Sequence, residues 1–159
     1  MAFRPDVTVA AIVHRDGRFL MVEERAARRV VLNQPAGHLE RGESLLEAVI
    51  RETLEETAYT LRPEAVTGIY LWRHEDIDRT FLRVAFSGEV DGPDVARRLD
   101  RCVLRATWMT REQLAARPQA LRSPLVLRCI DDYLAGARHP LSLLASLGIG
   151  AVGEAAAAG

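Results

Sequence analysis

The sequence has few of the cysteines that mark disulfide-rich or thiolate-metal proteins. Only two of its 159 residues are cysteines, and the spacing between Cys102 and Cys129 matches no metal-binding pattern. This scarcity excludes a multi-cysteine metal site. We expect two free, mostly buried thiols in a reducing compartment, with a disulfide between them as the alternative.

Long apolar runs and an excess of charge are also lacking. No stretch reaches the roughly 18 apolar residues of a membrane span, and the first residues lack the apolar core of a signal peptide. The formal net charge is -1, so no overall positive field attracts a nucleic acid polymer. We therefore expect a cytoplasmic protein that binds a small molecule, without a membrane or nucleic acid partner, as a monomer or a homodimer.

The length and composition are those of one folded domain. Hydrophobic residues make up 48% of the chain and charged residues 27%, which is enough apolar material for a buried core. We expect a single domain over residues 1–147. The Gly/Ala-rich tail at 148–159 has little to bury, so we expect it to be disordered.

Hydrophobic periodicity predicts both strands and helices. The expected strands are 7–14, 19–23, 30–32, 66–74, 79–90 and 103–109. The expected helices are 44–57, 111–116 and a segment that Ser123 and Pro124 open and that runs to about residue 134. Asp16-Gly17 is a hairpin signal between the first two strands. Because hairpins interrupt the alternation, we predict an α/β fold with a mixed β-sheet flanked by helices.

One predicted helix carries three carboxylates on one face. Ser44 and Glu47 form the capping-box pair at its start. Glu52, Glu55 and Glu56 stand at positions i, i+3 and i+4, so their side chains project together. Like charges at this spacing repel each other, more so where water is excluded, and the cluster favours a counter-ion. Hard carboxylate oxygens suit Mg²⁺, with Mn²⁺ as a substitute.

Three further residues extend this acidic cluster. Gly37 has no side chain, so its backbone carbonyl can approach a metal closely. Glu43 adds a carboxylate just before the helix, and Arg51 is a candidate counter-ion that can pair with Glu47 and reach Glu55. The alternative is an acidic helix face that is merely solvated, which an isolated run of glutamates would favour.

The spacing of these residues matches the Nudix box, G-x5-E-x7-R-E-U-x-E-E-x-G-U, in which U is a bulky apolar residue. The matching residues are Gly37, Glu43, Arg51, Glu52, Glu55 and Glu56. Thr53 departs from the box at a U position, Ala58 replaces its second glycine, and Tyr59 fits the last U only loosely. Segments such as 33–40 and 121–126 extend the likeness, so from about residue 3 to 145 the chain resembles a phosphatase subgroup of the Nudix hydrolases.

This resemblance implies a Nudix-type α/β/α sandwich and an enzyme that requires Mg²⁺. It implies release of inorganic phosphate from nucleoside tri- and diphosphates, hydroxymethylpyrimidine diphosphate and thiamine diphosphate. It also implies that Arg51 orients the glutamates and that Glu43 supports the site. The implied metal ligands are the Gly37 carbonyl and the carboxylates of Glu52, Glu55 and Glu56.

Hydrolysis also needs a base that accepts a proton from the attacking water. Glu52 is the first choice within the box. Asp100, just before the strand predicted at 103–109, is the candidate outside the box, and the alternative for Asp100 is a solvated loop residue.

The predicted substrate contacts combine aromatic, cationic and polar side chains, because indoles stack on rings and guanidinium groups match phosphate oxygens. They are Trp72, Arg83, Arg122, His38, Asn33 and Gln34. Tyr70 shares a strand face with Trp72 and is a second stacking candidate. The alternatives are core packing for the two aromatic residues, surface salt bridges for the arginines and a structural hydrogen bond for His38.

Two rival functions stay open at this point. A nucleotide-sugar or dinucleotide pyrophosphatase of the same superfamily would cut an internal linkage and release a nucleoside monophosphate. A non-catalytic sensor module would bind a nucleotide without cleaving it. Such modules can dispense with the catalytic carboxylates, all of which are present in this chain.

Overall fold

The computed structural model describes residues 2–149. Apart from Gly148 and Ile149, the tail predicted at 148–159 lies outside these residues. The strands are β1 (Asp6–Ile12), β2 (His14–Arg15), β3 (Arg18–Ala26), β4 (Arg29–Asn33), β5 (Ala36–His38), β6 (Thr60–His74), β7 (Arg79–Asp91) and β8 (Val103–Met109). The helices are α1 (Leu45–Thr57), α2 (Arg111–Ala115) and α3 (Leu125–Leu134), with single 3-10 turns at Glu75–Ile77, Pro118–Ala120 and Leu141–Leu143.

The predicted mixed sheet has the strand order β5-β1-β7-β6. β1 runs parallel to β7 and antiparallel to β5, while β6 and β7 form a long antiparallel hairpin. A parallel pair requires a crossover connection, and the segment between β1 and β7 contains α1. The sheet is therefore mixed, because the connection through α1 makes β1 and β7 parallel, whereas the hairpin makes β6 and β7 antiparallel.

A second sheet, which the sequence pattern did not separate from the first, is entirely antiparallel. Its central strand β3 pairs with β2, β4 and β8. Asp16 and Gly17 join β2 to β3 with φ angles of 51° and 75°, as the two-residue hairpin predicted there requires.

Helices cover both faces of the mixed sheet. Ala10 and Ile12 of β1 face a core that includes α3, whereas Val9 and Ala11 face a second core that includes α1. Because successive side chains of a strand point to opposite faces, one apolar run supplies both cores. The fold is the predicted α/β/α sandwich.

The ends of α1 hold its acidic face in a defined place. The Glu47 N–H donates to the Ser44 hydroxyl (3.2 Å), and the Ser44 N–H donates to the Glu47 carboxylate (2.7 Å), which is the predicted capping box. Ala58 ends the helix with a φ of 60°, and its N–H donates to the Leu54 carbonyl at 2.9 Å. A left-handed conformation costs a non-glycine residue about 1–2 kcal/mol, yet the cap forms.

The structure differs from the sequence predictions in several details, among them β6, which begins at Thr60 and not at residue 66. Both thiols are free, but only Cys129 is buried, because Cys102 lies in the exposed turn that precedes β8. α3 begins at Leu125, one residue later than predicted, with Pro124 at the N-cap position, and the Leu125 N–H donates to the Ser123 hydroxyl at 3.2 Å. In the part of the chain that the structure describes, no helix is long and apolar enough to cross a membrane.

Candidate active site

The free edge of β5 meets the acidic face of α1. Among residues 2–149, β5 pairs with β1 alone, so its outer backbone groups are available to side chains. The Ala36 N–H donates to Oε2 of Glu56 (3.0 Å), and Nη2 of Arg51 donates to the His38 carbonyl (3.1 Å). The glycine-containing strand and the glutamate-rich helix are thereby joined directly.

The register of β5 decides which carbonyl faces the carboxylates. The N–H and C=O of a residue in an antiparallel strand point to the same side, and successive residues alternate. The Leu39 N–H donates to the Val7 carbonyl of β1 at 3.0 Å, so Gly37, two residues earlier, also turns toward β1. The Ala36 N–H points outward to Glu56, and its carbonyl points the same way. The carbonyls at the open edge are therefore those of Ala36 and His38, and the His38 carbonyl already accepts from Arg51.

Gly37 contributes to the site through its missing side chain. Its φ is not in the left-handed region, so backbone freedom is not what requires glycine here. A Cβ at this position would overlap the carboxylate of Glu52. The glycine therefore provides the space in which the Glu52 carboxylate lies.

Arg51 is the cation at the centre of the cluster. Its Nε and Nη2 donate to the two oxygens of Glu43 at 2.9 and 2.7 Å, the paired geometry that a guanidinium forms with a carboxylate. Its Nη1 donates to Glu52 at 2.8 Å and to Glu55 at 3.2 Å. Glu43 is thus occupied in holding Arg51, and Arg51 in turn orients the two glutamates on α1.

Asp100 joins the cluster from outside the sequence motif. One carboxylate oxygen each from Glu52, Glu55 and Asp100 lies within 4.8 Å of the other two. The loop that carries Asp100 is tied to α1, because the Asp100 N–H donates to the Glu55 carbonyl at 3.0 Å. Asp100 is exposed, but it is not the isolated loop residue that its sequence position alone allows.

Burial makes the metal-free cluster electrostatically unfavourable. Desolvation raises the pKa of Glu56 to about 9, and neighbouring carboxylates reinforce the shift. Desolvation also raises the pKa of Glu52, although Arg51 opposes it. A site that gathers hard oxygen donors and disfavours their charge fits a divalent cation such as Mg²⁺ or Mn²⁺. Its candidate donors are the Ala36 carbonyl and the carboxylates of Glu52, Glu55, Glu56 and Asp100.

A cavity of about 880 Å³ opens from these carboxylates onto the α3 side of the mixed sheet. Five of the predicted substrate contacts line it: Asn33, His38, Trp72, Arg83 and Arg122. Gln34 lies behind the cavity wall and is 1% exposed. Its Nε2 donates to the Val126 carbonyl (2.6 Å), and its Oε1 accepts from Arg83 (3.2 Å). Gln34 therefore positions Arg83 instead of contacting a ligand.

Strand register explains why these distant residues meet. His38, Thr8 and Arg83 are lateral neighbours across β5, β1 and β7. Phe81 precedes Arg83 by two residues and lies opposite Trp72 on β6. Since residues two apart on a strand share a face, the cavity floor passes from His38 through Arg83 to the aromatic residues.

Trp72 and Phe81 form an aromatic wall at the far end of the cavity. Their rings stack with centroids 5.7 Å apart and an interplanar angle of 21°, and the ring of His74 lies 5.1 Å from Trp72. Tyr70, the other stacking candidate, is 9% exposed and belongs to the core, where its hydroxyl donates to Asp132 at 2.8 Å. Of the two stacking candidates, Trp72 is therefore the one that a ligand can reach.

Several residues that line the cavity were not among the predicted contacts. They include Thr8, Glu24, Arg25, Arg29, Arg79, Phe81 and Cys102. Phe81 had a usable signal, because it alternates with Arg83 on one predicted strand. The residues between 24 and 29 had none, since only the β3–β4 hairpin of the second sheet brings them to the cavity.

Comparison with known proteins gives the class to which this fold and site belong. The NUDIX domain model matches residues 2–128, which include β5, α1 and the loop that carries Asp100. The chain belongs to the NUDIX family and is a hydrolase that acts on acid anhydrides in phosphorus-containing substrates.

The similarity extends over almost the whole chain. Phosphatase NudJ of Shigella boydii serotype 4 (strain Sb227) is 38% identical over 142 residues, which cover 89% of this chain and 92% of the relative. Phosphatase NudJ of Escherichia coli (strain K12) has the same identity and coverage. A solved NUDIX hydrolase from Nitrosomonas europaea is 46% identical with a TM-score of 0.89, and the match covers 91% of this chain and 98% of that chain.

Proposed function

We propose that this enzyme is a Mg²⁺-dependent phosphatase that releases inorganic phosphate from the end of a di- or triphosphate chain. The observation that carries the proposal is a single cavity that joins the buried carboxylates of α1 to the aromatic wall of Trp72 and Phe81. A phosphate chain and a flat organic ring can therefore be bound together. The similarity to Phosphatase NudJ supports phosphate as the leaving product.

We propose that Mg²⁺, which Mn²⁺ can replace, is held by the Ala36 carbonyl, Glu52, Glu55 and Glu56, with Asp100 at the rim. The Gly37 carbonyl, the ligand expected from sequence, is replaced in this set because it faces β1. When bound, such a cation neutralises phosphate oxygens and increases the acidity of water. Arg51 keeps the Glu52 and Glu55 carboxylates in position, and Glu43 keeps Arg51 in position.

Glu52 is the proposed general base. Its carboxylate is largely buried and lines the cavity, where it can accept a proton from water. Arg51 orients this carboxylate through one oxygen. Asp100 is the alternative base, because it lies in the same cluster and is accessible to water.

The proposed substrates are nucleoside di- and triphosphates and the pyrimidine diphosphates of thiamine metabolism, hydroxymethylpyrimidine diphosphate and thiamine diphosphate. All combine a terminal phosphoanhydride with an aromatic ring. Within the cavity, we propose that Trp72 contacts the ring of the substrate. His38 and Asn33 donate hydrogen bonds to the part of the substrate that lies between this ring and the carboxylates of α1.

The products of hydrolysis test this reaction directly. With a nucleoside triphosphate and Mg²⁺, the purified enzyme should release orthophosphate and the nucleoside diphosphate first. Hydroxymethylpyrimidine diphosphate should give orthophosphate and its monophosphate, and chelator should abolish both reactions because the carboxylates then lack their cation. Phosphorus NMR of the reaction mixture identifies each product.

Two other product patterns would contradict the proposal. Pyrophosphate together with a nucleoside monophosphate would favour a pyrophosphatase of the same family, such as one that acts on nucleotide sugars or dinucleotides. Saturable binding of every substrate without any product would favour a non-catalytic sensor module.

Replacing Trp72 with alanine tests the ring contact. Stacking of a base on an aromatic side chain contributes about 1–3 kcal/mol, so KM should rise roughly 10- to 100-fold. If the ring is held equally in the ground and transition states, kcat should change little. Steady-state kinetics and the melting temperature should be measured on one preparation.

Trp108→Ala is the matched control for this experiment. Trp108 packs beside Tyr59, away from the cavity, and its Nε1 donates to the Tyr59 hydroxyl at 3.2 Å. Its removal should lower the melting temperature and leave KM unchanged. A Trp72→Ala enzyme with the same behaviour would show that Trp72 is a packing residue only.

A further inference from the structure

Arg83 is a buried cation without a carboxylate partner in the described residues. It is 6% exposed, and its guanidinium donates to the neutral Gln34 amide at 3.2 Å. Its Nε, which is also buried, has no acceptor. The adjacent Cys129 thiol does not supply a counter-charge, because burial raises its pKa. An uncompensated buried charge is destabilising, so its presence at a cavity wall calls for an anionic ligand.

The surroundings of Arg83 add positive potential at the same wall. Arg122 lines the cavity and donates to Glu24 at 3.2 Å, and Glu24 lines the cavity as well. Arg83 and Arg122 together therefore outnumber this one carboxylate. Ser123 and Leu125 also line it, so the cavity adjoins the N-terminal end of the ten-residue helix α3. That end carries the positive pole of the helix dipole.

This positive wall is separate from the carboxylate edge. Arg83 stands on β7, whereas the candidate cation donors gather at the outer edge of β5. β1 lies between these strands, so the backbones of β7 and β5 are about 10 Å apart at the usual strand spacing. A phosphate bound among the carboxylates therefore leaves room for a second anionic group beside Arg83.

We propose that Arg83, Arg122 and the N-terminal end of α3 form an anion subsite for a second phosphate-class group. Its role in the reaction rests on the proposed function. Two sources share this chemistry: a further phosphate or carboxylate of the same substrate, and the orthophosphate product. Gln34 serves the subsite by holding the guanidinium of Arg83 in place.

Phosphate binding to the metal-free protein tests the subsite without any catalysis. In the presence of chelator, millimolar inorganic phosphate should raise the melting temperature of the wild type. Arg83→Met should bind phosphate at least roughly tenfold more weakly, the scale of a lost hydrogen bond to a charged group. Without phosphate it should be at least as stable as the wild type, because methionine removes an uncompensated buried charge.

Arg73→Met provides the matched control, since it changes the net charge equally but lies outside the cavity, paired with Asp78. It should keep the phosphate response. Arg122→Met, at an exposed position, should weaken the response even if Arg83→Met folds poorly. The absence of a phosphate response in the wild type, or a wild-type response in both cavity variants, would overturn the proposal.

Kinetics with Mg²⁺ distinguish the two sources of the anion. If the substrate supplies it, Arg83→Met should raise KM at least roughly tenfold while inhibition by orthophosphate is unchanged. If the product supplies it, inhibition should weaken while KM is unchanged. If KM and inhibition by orthophosphate both stay unchanged in Arg83→Met, the subsite has no role in the reaction. A protein that binds phosphate at Arg83 but hydrolyses no phosphoanhydride would refute the proposed function and leave the subsite standing.

Discussion

Glu56→Gln is expected to lower kcat at least about 100-fold at saturating Mg²⁺, the scale of losing a positioned catalytic group. Glu56 is 7% exposed, and its carboxylate accepts a hydrogen bond from the Ala36 N–H. Glutamine keeps the size and an oxygen for this hydrogen bond but removes the charge. Folding should therefore be retained or improved, and kcat and melting temperature should be measured on one preparation.

The same variant should change the pH dependence of the metal-free protein. The pKa of Glu56 is raised from 4.5 to about 9 by burial. The neutral carboxyl thus contributes stability that is fully present below pH 4.5 and is lost as the pH rises through about 9. In chelator, the wild type should lose stability across this window. Glu56→Gln should lose less, with a remaining slope because the pKa of Glu52 is raised as well.

Glu64→Gln is the control for both measurements, because Glu64 is exposed on β6 and belongs neither to the cavity lining nor to the carboxylate cluster. It should keep wild-type kcat and the wild-type pH slope. Equal turnover of Glu56→Gln and wild type at saturating Mg²⁺ would remove Glu56 from the proposed ligands.

Gly37→Ala is the second change with a large expected effect. An alanine Cβ would occupy the space of the Glu52 carboxylate, which can move away because it is the end of a flexible side chain. A displacement of about 1 Å in a catalytic group can lower the rate about 100-fold. We therefore expect a loss of that size in kcat. Stability should stay within about 1 kcal/mol of wild type, since glycine-to-alanine changes at unstrained positions also restrict the unfolded chain.

Gly88→Ala is the control, because it is expected to lower stability and not turnover. A Cβ there would meet the Arg62 backbone carbonyl in the neighbouring strand, and the strand cannot give way as a side chain can. This variant should lose stability while its folded fraction keeps normal turnover. If Gly37→Ala has wild-type kcat, the position of the Glu52 carboxylate beside β5 is not important for the reaction.

The sequence alone was sufficient to predict the parts of the site that lie on one helix. One face of the helix carries Glu52, Glu55 and Glu56 because a helix repeats every 3.6 residues. The capping box of Ser44 and Glu47 indicates where that helix begins. The apolar run of β1 likewise predicted a strand over residues 7–14. Local periodicity and capping chemistry determine such features before any tertiary contact forms.

Features that depend on strand pairing were decided by the tertiary structure. The register of β5 on β1 turns the Ala36 carbonyl, and not that of Gly37, toward the carboxylates. The loop before β8 brings Asp100 to Glu55, and the pairing of β6 with β7 sets Phe81 against Trp72.

Burial, which is also a tertiary property, divides residues that look alike in sequence. Tyr70 and Trp72 share a strand face, yet the first lies in the core and the second in the cavity. In the sequence, Arg83 cannot be distinguished from the exposed arginines. In the folded chain it is buried, and its guanidinium donates to the neutral Gln34 amide and not to a carboxylate. The desolvation of a side chain depends on how all the other elements pack around it, which local sequence does not show. The sequence by itself therefore determined the carboxylate cluster on α1, and only the folded chain determined the cavity beside it.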